Sequence, residues 1–365
     1  MTTPERISTP DIGAIIAGRL RAWAAGEPQG PAVMELFPSA RCNLNCIFCR
    51  RTDHYAAFLE NCSEVPDDRY RRLITEGIEL GVKEVSFKGG GEPLVRRELV
   101  EFAAPLFARA GVRGLLITNG TLLDAGLASL LADCGWTEVA ISLDAPDAAA
   151  HDHIRQKPGT FEAATSAARL LSAAKARAGR GPSVKFHAVL TKLSAARTAD
   201  MVRLAADCGA QSFELDSLDL SEPSAAELKL SGKDSELFAA GLEDAIALAE
   251  KLKISANLAS FRRREYSDRE AARASGGPAC LYPWFQLSVQ ADGSLVPCCV
   301  AGMRRDGGRI HAVTLREAWF GSPMEEIREA FRRGARPAFC ANCSPLQFEF
   351  NSALAGLLPA GKEQP

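Results

Sequence analysis

Six short apolar runs recur through the first 220 residues: Val33 to Pro38, Glu84 to Phe87, Gly114 to Thr118, Val139 to Leu143, Val184 to Leu190 and Gln211 to Leu215. Between them lie longer stretches with helical character. The first kind of segment reads as a buried strand and the second as an amphipathic helix. Strands that alternate with helices predict a parallel α/β architecture of the barrel type. Six such units in roughly 190 residues are too few to close an eight-stranded barrel. Chemistry in parallel barrels gathers at the C-terminal ends of strands, and the distinctive polar and glycine-rich motifs of this chain sit at those ends.

After residue 220 the pattern changes. Residues 221 to 275 read as a helix, a short strand and a charged connector, whose run from Phe261 is a solvated helical face. The segment SVQADGSLVPCC alternates about Asp292-Gly293 and predicts a β-hairpin with Cys298 at a strand end. One packing helix and a polar, fraying end follow Cys343. No internal repeat or low-complexity segment is found.

Composition narrows the class. The 365 residues are 47% hydrophobic and 24% charged, the balance of a soluble protein with one large domain and a small one. A net charge of -2 gives no electrostatic footprint for nucleic acid or a membrane surface. No apolar run approaches the roughly 20 residues that span a bilayer, and the N-terminus lacks the basic start and apolar core of a signal peptide. A cytoplasmic location is expected. In a reducing compartment the 11 cysteines point to metal rather than disulfides.

The cysteines fall into groups. Cys42, Cys46 and Cys49 lie in the run CNLNCIFC, directly after the first strand. A cube of four irons takes four protein ligands when it only carries electrons, so three thiolates leave one iron for a small molecule. The alternatives are chance core cysteines and a zinc knuckle, which usually joins two CxxC pairs or adds histidines. A second set comprises Cys280, the pair Cys298 and Cys299, and Cys340 with Cys343, for which a zinc ribbon is the alternative because four thiolates suit either metal. Cys134 and Cys208 end amphipathic helices and read as core residues. Cys62 stands alone in the loop after the first set.

The CxxxCxxC spacing, with Phe48 before its third cysteine, resembles the signature of the radical S-adenosylmethionine (SAM) enzymes. The run Lys88-Gly89-Gly90-Gly91-Glu92-Pro93 at the end of strand two resembles that family's GGE(P) motif, whose glycine backbone meets the amino group of the bound methionine. Only glycine lets the main chain approach a ligand so closely. Asn119, Ser142 and Asp144, ending strands three and four, stand where the family contacts the ribose and the methionine carboxylate, although such residues also make ordinary turns. Arg155, in HDHIRQKPGTFE, stands where an arginine reaches the SAM carboxylate with its two-pronged guanidinium. His151 and His153 beside it read as surface or capping residues. Leu190-Thr191 and Leu215-Asp216 lie where main chain wraps the adenine. Cys280, Gly293, Cys298, Cys340 and Cys343 resemble the twitch domain, a shortened SPASM extension in which four cysteines ligate one auxiliary cluster. Spacing alone does not choose between Cys298 and Cys299, although the Gly-x4-Cys count of that pattern favours Cys298.

The fold implied is α/β, a partial (β/α)6 TIM-type barrel followed by a small α+β iron-sulfur domain. Its expected parts are an N-terminal helical extension (1–30), the core barrel (31–220), a connector (221–275), the twitch domain (276–350) and a tail (351–365). The cofactors implied are SAM, a [4Fe-4S] cluster held by three cysteines and SAM, and one auxiliary [4Fe-4S] cluster. The activity implied is reductive cleavage of SAM to a 5'-deoxyadenosyl radical that removes a substrate hydrogen. Dehydrogenation or epimerisation of a small molecule, a sugar or aminocyclitol, is the expected outcome, with Cys62 and Cys299 as candidate hydrogen donors and a flavodoxin or ferredoxin as electron donor. A maturase acting on a ribosomally made peptide is the alternative. Only 41 residues precede Cys42, fewer than a leader-binding domain needs, and this favours the small molecule. A non-catalytic iron-sulfur or zinc protein is a third reading. Lys88, His187, Glu214 and Asp216 are further candidates for substrate contact, because a one-residue change of register decides which way a strand side chain faces. Asp216 reads either as a proton acceptor or as a helix cap.

Overall fold

The computed structural model describes residues 11–49, 62–218, 223–262, 280–298, 309–311, 313–335, 340 and 345–356. Its centre is a nine-stranded sheet. The chain lays down β1 (Val33–Leu36), β2 (Glu84–Phe87), β3 (Arg113–Thr118), β4 (Glu138–Ser142), β5 (Ser183–Leu190) and β6 (Ser212–Ser217) as parallel neighbours in sequence order. All six fall on the apolar runs read from the sequence, with ends that differ by no more than two residues. Helix α1 (Ile12–Ala24) precedes β1. The crossovers carry α2 (Asp67–Glu79), α3 (Arg97–Ala110), α4 (Ala125–Asp133), α5 (Ala148–Arg155), α6 (Thr160–Ala178) and α7 (Thr198–Asp207).

Three short strands extend the sheet. β7 (Ser255–Ala256) follows α8 (Gly232–Leu252) and pairs with β6 at one end. At the other end β8 (Gln286–Val289) runs parallel to β1, from Val33↔Gln286 to Leu36↔Val289. β9 (Leu295–Val296) then folds back antiparallel on β8. The expected hairpin is present, with Gly293 at φ 80° in its turn. What the sequence did not reveal is the second partner of β8. An open parallel sheet leaves a row of unpaired backbone groups on its edge strand, and β8, buried along its whole length, supplies β1 with the missing ladder. The C-terminal segment therefore continues the sheet. It ends in α9 (Leu315–Phe320), α10 (Ser322–Arg332) and α11 (Pro345–Gly356).

Strand alternation gives the sheet two different faces. On β5, Val184, Phe186, Ala188 and Leu190 are buried in the core shared with the helices, while Lys185, His187 and Val189 point the other way and are half-buried. Full burial of Phe186 and Phe213 contributes about 1.5–3 kcal/mol each. The register carries the polar face across neighbouring strands, Ser142 beside His187, His187 beside Glu214, and Val189 beside Asp216. His187, Glu214 and Asp216 thus share the face opposite the helix-packed core.

Helix α1 and helix α10 meet on the other flank. Asp11 caps α1 by accepting from the Gly13 backbone N–H at 2.9 Å, and Ile16, Leu20 and Trp23 bury that helix. Arg328 of α10 is wholly buried between the rings of Trp23 and Trp319, 4.9 and 4.4 Å from their centroids. Among the described residues no helix is long and apolar enough to cross a membrane.

Candidate functional site

The cysteine loop after β1 and the glycine loop after β2 are laced together by their main chains. Lys88 donates to the Leu36 carbonyl, Gly91 to that of Ser39 and Glu92 to that of Arg41, each at 2.9 Å. This seam needs glycine. A Cβ on Gly91 would lie 1.9 Å from the Arg41 carbonyl oxygen, and one on Gly89 would lie 1.6 Å from the oxygen of Gly91. Gly90 sits between them, half-buried.

Glu92 does not project from this loop into open space. Its buried carboxylate accepts from the Leu94 N–H at 3.0 Å, the Thr118 hydroxyl at 2.6 Å and the Asn119 N–H at 2.8 Å, tying the glycine loop to the end of β3. Burial lifts its pKa above the ordinary carboxylate value, although these donors and the charge of Arg155 oppose the rise. Asn119 is likewise engaged. Its side-chain amide donates to Asn43 at 3.0 Å, and Asn43 in turn donates to Thr121 at 2.7 Å. The sequence reading missed Asn43 and Glu64. Asn43 lies inside the cysteine run, where a signal was available. Glu64 carried none, yet its carboxylate accepts from the Ser39 hydroxyl at 2.6 Å and the Ala40 N–H at 2.8 Å and pairs with Arg41 at 3.2 Å. Burial would raise its pKa, but those three partners outweigh burial and hold it below the ordinary value.

Arg155, the last residue of α5, brings β4, β5 and the cysteine loop together. Its guanidinium pairs with Asp144 at 2.6 Å, donates to the Cys46 sulfur at 3.6 Å and lies 5.7 Å from the centre of the Phe48 ring. Asp144 is fully buried and accepts from the Val189 N–H at 3.1 Å. The Nε of Arg155 is buried and makes no hydrogen bond among the described residues. Helix α5 begins at Asp147, which accepts from the Ala150 N–H at 3.0 Å. Ile47 donates to the Ile154 carbonyl at 3.0 Å, which fixes the loop against the end of that helix.

His151 departs from the surface role expected of it. It is buried, its Nδ1 accepts from the Asp144 N–H at 3.2 Å, and burial lowers its pKa to about 4, so the ring is neutral. His153 is on the surface beside Glu227. Ser142 is half-buried at the end of β4 on the polar face. The Leu190 side chain packs in the main core, leaving only its backbone for any ligand.

Of the first three cysteines, Cys46 is buried and Cys42 and Cys49 are half-buried. Cys62 is half-buried in the stretch that reaches the hairpin, where Val65 donates to the Ala291 carbonyl at 2.8 Å. Cys280, Cys298 and Cys340 are half-buried and pack against the main core. Cys299 and Cys343 lie outside the described residues. Cys208 is buried and Cys134 half-buried at the ends of α7 and α4, and burial pushes both thiols up, as core cysteines require.

The polar face below this cluster is built from cross-strand ion pairs. Arg113 meets Glu84 at 3.0 Å, and Lys185 lies 2.9 Å from both Glu138 and Glu214. Lys88 pairs with Glu35, which also accepts from the Ser288 hydroxyl of β8 at 2.6 Å. His187 Nε2 is 2.8 Å from the Asp216 carboxylate.

The chain matches the Radical SAM superfamily over residues 36–205 and the SPASM iron-sulfur cluster-binding domain over residues 280–344. A PqqA peptide cyclase of Methylocella silvestris is 29% identical over 329 residues, covering 85% of this chain and 79% of the relative. An AdoMet-dependent heme synthase of Methanosarcina barkeri is 36% identical over 124 residues, 34% of each chain. The crystal structure of Streptococcus suis SuiB bound to the precursor peptide SuiA superposes with a TM-score of 0.63 at 18% identity, covering 92% of this chain and 75% of that one. The PqqA peptide cyclases, matched over most of the chain, correct the expectation of a sugar or aminocyclitol substrate, and with it that of a small-molecule oxidoreductase or epimerase. Two such cyclases are 29% and 26% identical over 85% and 81% of the chain. Two successive domain matches, on a fold that sets the cysteine loop against the glycine loop, place the chain in the radical SAM superfamily, in its SPASM-containing subgroup, with SAM on a [4Fe-4S] cluster and an auxiliary iron-sulfur cluster as cofactors.

Proposed function

We propose that this protein is a peptide-modifying radical SAM enzyme, which removes hydrogen from a residue of a ribosomally made peptide and installs a new bond there. One observation carries this reading: the similarity to PqqA peptide cyclases extends over 85% of the chain, whereas the match to the heme synthase covers only a third.

In this reading Cys42, Cys46 and Cys49 hold the first cluster, and Cys280, Cys298, Cys340 and Cys343 the auxiliary one. Three features of the chain suit such occupants. Thiolates are the ligands that iron-sulfur clusters take. The glycine seam leaves bare main chain beside the cysteine loop, where no Cβ fits. The buried Nε of Arg155 is a donor without a protein acceptor among the described residues, and a buried donor calls for one. SAM bound at such a cluster supplies an agent able to take a hydrogen atom from an unactivated carbon, and the protein supplies orientation and exclusion of competing reactions.

The residues of the chain divide that work. Arg155 offers its guanidinium to an anionic group and is held in aim by Asp144. Gly89, Gly90 and Gly91 present their backbone to a ligand amine. Ser142 and the main chain at Leu190 line the strand ends nearby. Glu92 and Asn119 act from behind, locking the glycine loop to β3 and to Asn43. Phe48 covers one side of Arg155. No residue of the set is assigned to the substrate.

Anaerobic reconstitution, reduction and addition of SAM with a library of ribosomally made peptides test the proposal. A peptide that loses hydrogen by mass spectrometry, with 5'-deoxyadenosine formed in step, is the expected result. Peptides left unaltered while 5'-deoxyadenosine accumulates would overturn it.

A further inference from the structure

The polar face of the sheet holds one pair unlike its neighbours. Lys88 with Glu35, Arg113 with Glu84 and Lys185 with Glu138 and Glu214 join permanent charges. His187 and Asp216 join a permanent charge to a group that titrates near neutral pH. The two come from adjacent strands, β5 and β6, and their side chains keep 27% and 31% exposure, enough for a substrate to reach them.

The pair also stands next to the proposed cofactor residues. The His187 carbonyl accepts from Leu143 at 2.9 Å, and two residues further along β5 the Val189 N–H donates to Asp144, the partner of Arg155. Asp216 engages Nε2 of the ring at 2.8 Å. A carboxylate on one ring nitrogen fixes the tautomer and leaves the other as the acceptor, and Nδ1 makes no hydrogen bond among the described residues.

We propose that His187, aligned by Asp216, is the residue that takes a proton from the peptide as its new bond closes. The inference rests on the peptide-modifying reading above. An H–X bond of the substrate breaks heterolytically, an N–H bond forms at Nδ1, and the electron pair stays on X for the new bond. Where that bond closes on the carbon radical left by hydrogen abstraction, the one electron in excess would pass to the auxiliary iron-sulfur cluster that Cys280, Cys298, Cys340 and Cys343 would hold. Asp216 offsets the imidazolium charge so formed.

The charges around the ring agree with this role. It has Lys185 two residues away on the same face of its own strand, Glu214 and Asp216 on β6, and Asp144 just beyond the end of β4. Burial disfavours the charged ring, but the hydrogen bond and charge of Asp216, joined by Glu214 and Asp144, outweigh it and raise the His187 pKa. A base of raised pKa holds a proton more firmly, as a proton acceptor should.

Two measurements test the proposal on the reconstituted full-length protein. The first is the pH dependence of His187 carbethoxylation by diethyl pyrocarbonate, followed by mass spectrometry. Its midpoint is expected above that of a free histidine, and Asp216→Asn is expected to lower it by about one to three pH units. The same midpoint in both proteins would overturn the pairing. The second compares His187→Gln with wild type for modified peptide formed per deuterium transferred into 5'-deoxyadenosine. A fall of about 100-fold is expected, and an unchanged ratio would overturn the role. Should the glutamine variant fail to fold, Asp216→Asn carries the same test through a downward shift of the acidic limb of the pH–rate profile. A wild-type protein that modifies no peptide sinks the functional reading and this inference together, whereas an unshifted midpoint or an unchanged ratio sinks this inference alone.

Discussion

Arg155 donates to the sulfur of Cys46 across 3.6 Å, joining the end of a helix to a loop 109 residues earlier. The same guanidinium is the only charge paired with the fully buried Asp144 among the described residues. Arg155→Ala would leave that carboxylate buried and uncompensated, a loss of about 3–5 kcal/mol measurable by urea unfolding. Arg155→Lys keeps the charge, but a single ammonium cannot reach Asp144, Cys46 and a third acceptor at once. SAM binding by equilibrium dialysis is expected to weaken about tenfold in the lysine variant, the equivalent of one charge-assisted hydrogen bond.

Two glycines are expected to respond with opposite signs to the same substitution. A methyl at Gly91 would strike the Arg41 carbonyl, a backbone atom that cannot swing away. Gly91→Ala should therefore destabilise by about 1–3 kcal/mol and lower the iron retained after gel filtration. Gly18 lies inside α1, where an added methyl would meet nothing within 4 Å. Gly18→Ala should stabilise by about 0.5–1 kcal/mol, and thermal unfolding distinguishes the two.

The strands were legible because each is a short apolar run bounded by a turn, and the cysteine and glycine motifs because their spacing is local. The partners of β8 were not, because pairing Val33 with Gln286 is a tertiary event between segments that carry no common signal. Side-chain direction was equally hidden. Glu92 looks like a ligand in a motif, yet the fold turns its carboxylate back onto Thr118 and Asn119. His151, in a polar run, is buried because the turn of α5 that exposes His153 points His151 at Asp144.

That burial makes the protein sensitive to acid. The folded pKa of His151, about 4, is depressed below the unfolded value, so its contribution to stability is present above about pH 6.5 and is lost as pH falls through the folded value. Protonation would also remove the acceptor of the Asp144 N–H. Between pH 7 and pH 5 this one group is expected to withdraw about 2 kcal/mol. His151→Gln retains an acceptor without the titration, so its urea midpoint should fall less over that interval. Equal losses in both proteins would exclude His151 as the cause.

Two cubes correspond to about eight irons per chain. Cys42→Ala and Cys340→Ala are each expected to halve that content after anaerobic reconstitution, and the double variant to lose it. The pair Cys298 and Cys299 can be resolved the same way: Cys298→Ala should lose the auxiliary irons and Cys299→Ala should keep them. The opposite result would move the ligand to Cys299.

Arg69 of α2 reaches the C-terminal segment, donating to the carbonyls of Ile310 at 3.0 Å and Val313 at 2.6 Å while paired with Glu76 at 2.7 Å. Glu76 completes the contact by accepting from the Leu315 N–H, at 2.6 Å, where α9 begins. Each end of this latch satisfies backbone groups that are otherwise left over, two carbonyls before α9 and one N–H in its first turn. Arg69→Met keeps the length and apolar stem but removes every donor, leaving Glu76 without its counter-charge. A loss of about 3 kcal/mol is expected. Because the helix-packed core does not depend on this contact, the loss should be local: amide exchange is expected to rise at Ile310 and Leu315 and to stay slow on β3 and β4. Exchange that rises uniformly would show instead that the hairpin and the parallel sheet unfold as one unit.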